Sequence, residues 1–424
     1  MKRFSPFAVT ALFLFVALAL LGCRGPEGPP GPVGPAGAPG PVGPPGPSGE
    51  DASASQTYVG SETCGDCHEE TYERFMLSGH PYPISRVEDG EAPTFPYDDR
   101  TGGIPSPPDG SEWSEISYVV GGYRWKARFL DSDGFLITGN EGDTTQYNYA
   151  NERIDQSAGW APYHPGEGPL PFDCAQCHTT GYQPQGNQSN LEGIVGTWEF
   201  TGVQCEECHG PGSRHATDPR GVEMVIERNS QLCGECHSRG DPAQIDAEEG
   251  FELNALQYEG LYNSRHFALS CITCHDPHSS AVFVDEQTNP EGGLRQSCES
   301  CHWAQRVSKN TRHDNVACVD CHMAPMGRSG WASQELFTGD VHTHQFSINP
   351  DPDAPQFSED GSVAMPYITL EYACKQCHND RFAIERDLET LSEMARGYHS
   401  PVPPTPTPSP TPEGTTTPEA TASP

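Results

Sequence analysis

Gly202-Val203-Gln204-Cys205-Glu206-Glu207-Cys208-His209-Gly210-Pro211-Gly212-Ser213-Arg214-His215 is the stretch on which the reading of this chain turns. Two cysteines stand three residues apart, a histidine follows directly, and a second histidine lies six residues on. The Cys-x-x-Cys-His pattern recurs eight times: Cys64, Cys67 and His68; Cys174, Cys177 and His178; Cys205, Cys208 and His209; Cys233, Cys236 and His237; Cys271, Cys274 and His275; Cys298, Cys301 and His302; Cys318, Cys321 and His322; Cys374, Cys377 and His378. Sixteen of the 17 cysteines are used in this way, leaving Cys23. With this composition, chance would give roughly 0.03 copies.

The spacing has a chemical reason. Two thiols three residues apart can each form a thioether to a haem vinyl, while the adjacent imidazole turns onto the iron. A zinc ribbon needs no histidine after every second cysteine, and a disulfide framework needs none at all. The cofactor expected is therefore eight haem c, with the sixteen cysteines as attachment points. His68, His178, His209, His237, His275, His302, His322 and His378 are the expected proximal ligands. Covalent haem also explains how a chain with only 34% hydrophobic residues, 45 Gly and 42 Pro can fill an interior.

Nine histidines lie outside the motifs: His80, His164, His215, His266, His278, His313, His342, His344 and His399. Eight irons need eight distal ligands, so these nine are the distal candidates for bis-His ligation. His342 and His344, two apart, are expected to provide one ligand between them. In a bis-His haem the two Cα atoms sit about 12 Å apart, given metal–nitrogen bonds near 2 Å. Three residues span at most ~11 Å, so His278 is expected to serve a haem other than that of His275. His80, about 18 Å along a helix from His68 at ~1.5 Å per residue, is likewise expected to cross to another haem. Met323 and Met326, just after His322, are the candidates for a different axial ligand.

The Gly202–His215 stretch, together with Ser61-Glu62-Thr63-Cys64-Gly65-Asp66-Cys67-His68 and the His80 behind it, resembles the cytochrome c-554 family of multihaem cytochromes. Cys271-Ile272-Thr273-Cys274-His275-Asp276-Pro277-His278 is similar to the later motifs of that family. The resemblance covers residues 58–80 and, loosely, 174–378. It implies bis-His electron-transfer haems and supports His80, His215 and His278 as distal ligands. Eight motifs where the family usually has four, and a segment of β character, set this chain apart.

Outward from the motifs the chain divides clearly. Lys2 and Arg3 precede an apolar run from Phe7 to Leu21 that ends in Leu20-Leu21-Gly22-Cys23. That reads as a lipoprotein signal peptide over residues 1–22, with Cys23 as the lipidated first residue. Residues 23–57 form a lipid-anchored stalk in which glycine recurs every third position from Gly25 to Gly49. The pattern is collagen-like: it gives either a trimer or a polyproline-II spacer, about 80 Å long at ~3.1 Å per residue. Residues 58–399 form the octahaem domain, and 400–424 a Pro/Thr-rich tail expected to be disordered. The fold class expected is mostly irregular, with short α-helices around stacked haems and a small inserted antiparallel β-meander at about 110–160. Tyr123-Arg124-Trp125-Lys126-Ala127-Arg128-Phe129 alternates apolar and polar residues, and Asp133-Gly134 marks a hairpin turn before Phe135-Leu136-Ile137. Helices are expected from Glu69 to about Ser78 and from Asp380 to Arg396.

The formal charge of −35 excludes nucleic acid as a partner. These features read as an exported electron carrier, anchored to a membrane on its periplasmic or extracellular side. Its partners would be redox proteins or extracellular electron acceptors. The competing readings are an octahaem redox enzyme acting on small nitrogen or sulfur compounds, or a haem-chain filament subunit. An enzyme would need an open iron position, and nine spare histidines leave little room for one.

Overall fold

In a computed structural model of the chain, the described residues are 56–287, 289–307 and 313–399. The signal segment, the stalk, Cys23 and the tail lie outside them. Among the described residues no helix is long and apolar enough to cross a membrane.

Secondary structure is short and scattered. Among the described residues the longest helix is Leu388–Gly397, and several are single turns that carry a Cys-x-x-Cys-His motif, such as Ala175–His178, Cys205–His209, Cys271–Cys274 and Cys318–His322. The eighth motif begins inside a π-helical turn, Glu371–Lys375. The helix expected from Glu69 runs Glu69–Met76, with Glu69 and Glu70 at its positive N-terminal end and Phe75 buried. The last helix begins later than expected. Asp380 does not cap it: its backbone is left-handed (φ 64°) and its carboxylate accepts the N–H of Glu385. The cap is Asp387, whose side chain accepts the N–H of Thr390 at 2.7 Å. Residues 380–386 are spent instead on a loop whose Ile384 carbonyl meets His378 Nδ1 at 2.9 Å.

The β element is larger than the expected 110–160 meander. Strands β1 (Ile84–Arg86), β2 (Ile116–Gly121), β3 (Lys126–Asp131), β4 (Phe135–Leu136), β5 (Gln146–Asn148), β6 (Gly159–Ala161) and β7 (Leu170–Pro171) form one antiparallel sheet. Its path runs β1-β2-β3-β4-β7, and β5 pairs with both β3 and β6. The β2–β3 register sets Val119 opposite Phe129 and Gly121 opposite Ala127. Gly121 has φ 83°, and a Cβ there would stand 2.4 Å from the Lys126 carbonyl, so this hairpin end needs glycine. The Asp133-Gly134 turn joins β3 to β4, with Gly134 N–H donating to Asp131 O.

Alternation along the strands sends residues to two faces. Ile84, Tyr118, Leu130 and Leu136 pack on one side with Phe172, Ala175, Ile194 and Trp198. Val119, Ala127, Phe129 and Tyr147 pack on the other with Trp113 and Trp160. The aromatics of this region are therefore core. Ala175 belongs to the second motif, so the first face of the sheet is the one laid against that motif.

A second sheet was not foreseen: β10 (Ile245–Glu248), β11 (Phe251–Leu253), β12 (Gly327–Arg328) and β13 (Val363–Ala364), in the order β12-β11-β10-β13. A pair of two-residue strands, β8 (Thr179–Thr180) and β9 (Phe200–Thr201), lies between the two sheets in sequence. Under the second sheet Phe251, Met326, Ile368 and Tyr372 form a separate core, so Met326 is a packing residue.

Candidate haem sites and an unpaired histidine

Each motif closes one helical turn. The N–H of the histidine donates to the carbonyl of the first cysteine at 2.9 Å in the motifs of His68, His237, His275, His302 and His378. That turn sets both thiols and the imidazole on one side of a short helix. Among the described residues none of the sixteen motif cysteines is joined in a disulfide. Among the described residues, no three His, Cys, Asp or Glu side chains converge as ligands of a bare metal ion. The donor set suits thioether attachment.

The imidazoles give a second, independent test of fit. Two histidines bound to one iron, with metal–nitrogen bonds of about 2.0 Å, put their ring centroids roughly 6.3 Å apart. Seven motif histidines face a histidine from outside the motifs at this separation: His68–His215 at 6.4 Å, His237–His80 at 6.3 Å, His209–His278 at 6.2 Å, His302–His266 at 5.9 Å, His275–His344 at 6.2 Å, His378–His313 at 6.0 Å and His322–His399 at 6.0 Å. His278 faces His209 and not His275. His80 crosses to the fourth motif, and His344, not His342, faces His275. His322 has an imidazole opposite it, so neither Met323 nor Met326 takes that place.

Second contacts aim these rings. Nδ1 of His209, His215, His322 and His378 each meets a backbone carbonyl, those of Val225, Val222, Phe346 and Ile384, at 2.6–2.9 Å. This leaves Nε2 free for a metal. Burial, reinforced by a neighbouring imidazole, holds His80 down to about 4 and His344 down to about 3, so both keep a lone pair at neutral pH. Asp276 Oδ1 lies 3.3 Å from His278 Nδ1. Burial alone would raise the Asp276 carboxyl, but His278, Arg295 and Arg74 together hold it below the usual range.

The motifs also lie next to one another. Cysteines of different motifs lie beside one another: Cys64 beside Cys205, Cys177 beside Cys236, and Cys233 beside Cys271. Cys318 Sγ lies 3.6 Å from the Glu299 carboxylate inside the sixth motif, and Gln376 of the eighth donates to Asp320 O of the seventh at 2.7 Å.

The second motif departs from the rest. His178 Nδ1 meets the Pro83 carbonyl at 3.0 Å, and the one ring recorded near its imidazole is Phe172, edge-on at 6.4 Å. The two remaining candidates are engaged elsewhere. His164 is exposed and pairs with Glu167 at 3.0 Å. His342 lies between the Met323 carbonyl and Arg153 Nη2, the latter at 3.0 Å from its Nε2. Seven of the nine candidates thus face a motif histidine, and His178 is the motif histidine opposite which, among the described residues, no imidazole stands.

Two family models match: outer membrane cytochrome MtrC/MtrF-like, domains II/IV, over residues 294–414, and cytochrome c554 and c-prime over residues 156–210. The dissimilatory sulfite reductase MccA of Wolinella succinogenes is 24% identical over 63% of this chain and 50% of its own length. The multihaem cytochrome MtrA of Shewanella baltica is 22% identical over 48% of this chain and 65% of its own. The chain thus spans about half to two thirds of the length of these relatives. Among solved structures, the Wolinella succinogenes octahaem sulfite reductase superposes with a TM-score of 0.56, at 17% identity, over 81% of this chain and 71% of that one. Outer cell wall cytochrome OcwA superposes at 0.50, also at 17% identity, over 80% and 86%. The shared feature is the fold.

Proposed function

We propose that this chain, a multihaem c-type cytochrome involved in electron transfer, carries eight haems and passes electrons along them outside the cytoplasm. The observation that carries this reading is the set of seven facing imidazole pairs at 5.9–6.4 Å. Haem c supplies a one-electron couple. The sixteen motif cysteines would hold it, and the paired histidines would ligate the irons through their imidazole nitrogens. The close approach of neighbouring motifs supports passage from one site to the next.

The charged and apolar N-terminal segment, and relatives named as outer membrane and outer cell wall cytochromes, favour an exported protein. In this reading Cys23 carries the lipid and the glycine-rich stalk holds the body away from the membrane. Redox proteins or extracellular acceptors exchange electrons with it. Intact mass spectrometry of the membrane-extracted protein is expected to give a chain beginning at an acylated Cys23 with eight covalent haems. Reductive titration of the same sample should take up eight electrons. A mass short of eight haems, or lacking acyl chains, would reject the corresponding part.

A further inference from the structure

Phe346 has a backbone conformation that a phenylalanine rarely adopts. Its φ is 63°, and Ser347 N–H donates to Gln345 O at 2.8 Å across it, which closes the strained form of a three-residue turn. Glycine would avoid the steric cost that a Cβ meets there. Such a conformation persists where its surroundings over-determine it, and here both flanks are tied down. Gln345 is 1% exposed and donates to Glu252, while Ser347 O accepts the N–H of Ile368 and Asn349 N–H donates to Ile368 O, each at 2.8 Å. Ile348 packs in the core under the second sheet.

The turn presents Phe346 to three of the facing imidazole pairs. Its ring lies edge-on to His266 at 4.5 Å and to His344 at 6.0 Å. Its carbonyl accepts a hydrogen bond from His322 Nδ1 at 2.8 Å. His344 faces His275, His266 faces His302 and His322 faces His399, so one residue meets the sites of the fifth, sixth and seventh motifs. The sixth and seventh approach again where Cys318 meets Glu299. Relaxing φ with the flanks fixed would swing the ring and the carbonyl off these partners.

We infer that Phe346 is a positioning residue shared by three haem sites: its ring orients the imidazoles of His266 and His344, and its carbonyl orients that of His322. The direction of an axial ring and the hydrogen bond behind it are levers on an iron's potential, so a single strained residue tunes the fifth, sixth and seventh sites together. The inference rests on the reading that these histidines ligate c-type haems.

The test uses the oxidised holoprotein. Low-temperature electron paramagnetic resonance reports the angle between the two axial rings of each low-spin iron, and a redox titration reports the potentials. F346G removes the ring but suits the left-handed turn, so the carbonyl stays on His322. Two low-spin components, those of the His266 and His344 sites, and their two potentials are expected to shift, while the rest match the parent. F346A removes the ring and keeps the steric cost, so the turn relaxes and a third component, that of His322, moves as well. F346Y keeps the ring and should keep the parent spectrum. If F346A fails to fold, F346G and F346L, the latter with bulk but no flat ring, carry the test through the same two components. A parent-like spectrum in F346G and F346L with only stability lost overturns the inference, because a residue that merely fills space would give it. A single shifted component in F346G overturns it too, as does movement of every component, the sign of a loosened domain. Haem count by intact mass stands apart: a full count with an unmoved spectrum overturns this inference and leaves the electron-transfer reading in place, whereas a parent lacking the fifth, sixth or seventh haem overturns both.

Discussion

Replacing Glu206 by alanine is expected to destabilise the folded haem domain by about 3–6 kcal/mol. Glu206 is 2% exposed and sits between the cysteines of the third motif. Its carboxylate accepts the backbone N–H groups of Val59, Gly60 and Gly212 at 2.7–3.0 Å. It thereby ties the segment that leads into Cys64 to the helix Cys205–His209, alongside the contacts of Ser61 with Gln204 and Cys205. Alanine leaves three buried donors unpaired, at about 1–3 kcal/mol each. The segment can recover part of this by loosening toward water, which keeps the total below the maximum. Glu206→Gln, which retains one accepting oxygen, should cost less than half as much. Denaturant unfolding of the holoprotein measures both, and a loss below about 1 kcal/mol for alanine would show that the carboxylate does not anchor this segment.

The second large effect depends on pH. Glu252 on β11 is 5% exposed and burial pushes its carboxyl up to about 7, against the opposing hydrogen bonds from Thr343 and Gln345. Those two residues flank His344, so Glu252 braces the loop that presents this imidazole. Below the ordinary glutamate range both the folded and unfolded chains hold the proton. As pH rises from there to 7, the unfolded chain releases it first, so stability falls across that window and is lower above it. The shift corresponds to about 3 kcal/mol. Glu252→Gln keeps an acceptor for the same donors and removes the charge. It is expected to match the parent at pH 4 and to be about 3 kcal/mol more stable at pH 8. Parallel unfolding curves for the two proteins across that range would contradict this assignment.

What could be read from residues alone follows from how local each interaction is. Cys-x-x-Cys-His is five contiguous residues closed by one backbone hydrogen bond, so the chemistry of attachment is written in a single turn. Exclusions were also legible, because chain reach forbids His278 from serving the iron of His275. The identity of each facing pair was not, since His68 faces His215 and His275 faces His344 across long loops that leave no periodic trace. The gap at His178 was hidden by arithmetic: nine candidates for eight positions conceal the Glu167 contact of His164 and the Arg153 contact of His342. The hairpin of β2, β3 and β4 was legible through alternation and Asp133-Gly134. The outer strands β1 and β7 and the sheet of β10–β13 have only two to four residues each and pair through distant neighbours, so no alternation builds up.

Low-temperature electron paramagnetic resonance of the fully oxidised holoprotein, with spins quantified against the haem count, tests the central claim most directly. Seven low-spin irons with two imidazoles each, and one high-spin iron lost when the second motif is removed by Cys174→Ser and Cys177→Ser, is the result expected. Eight low-spin irons would mean that His178 finds an axial partner after all. Two or more high-spin irons would mean that the facing imidazoles do not bind iron, and the conduit reading would fail with them.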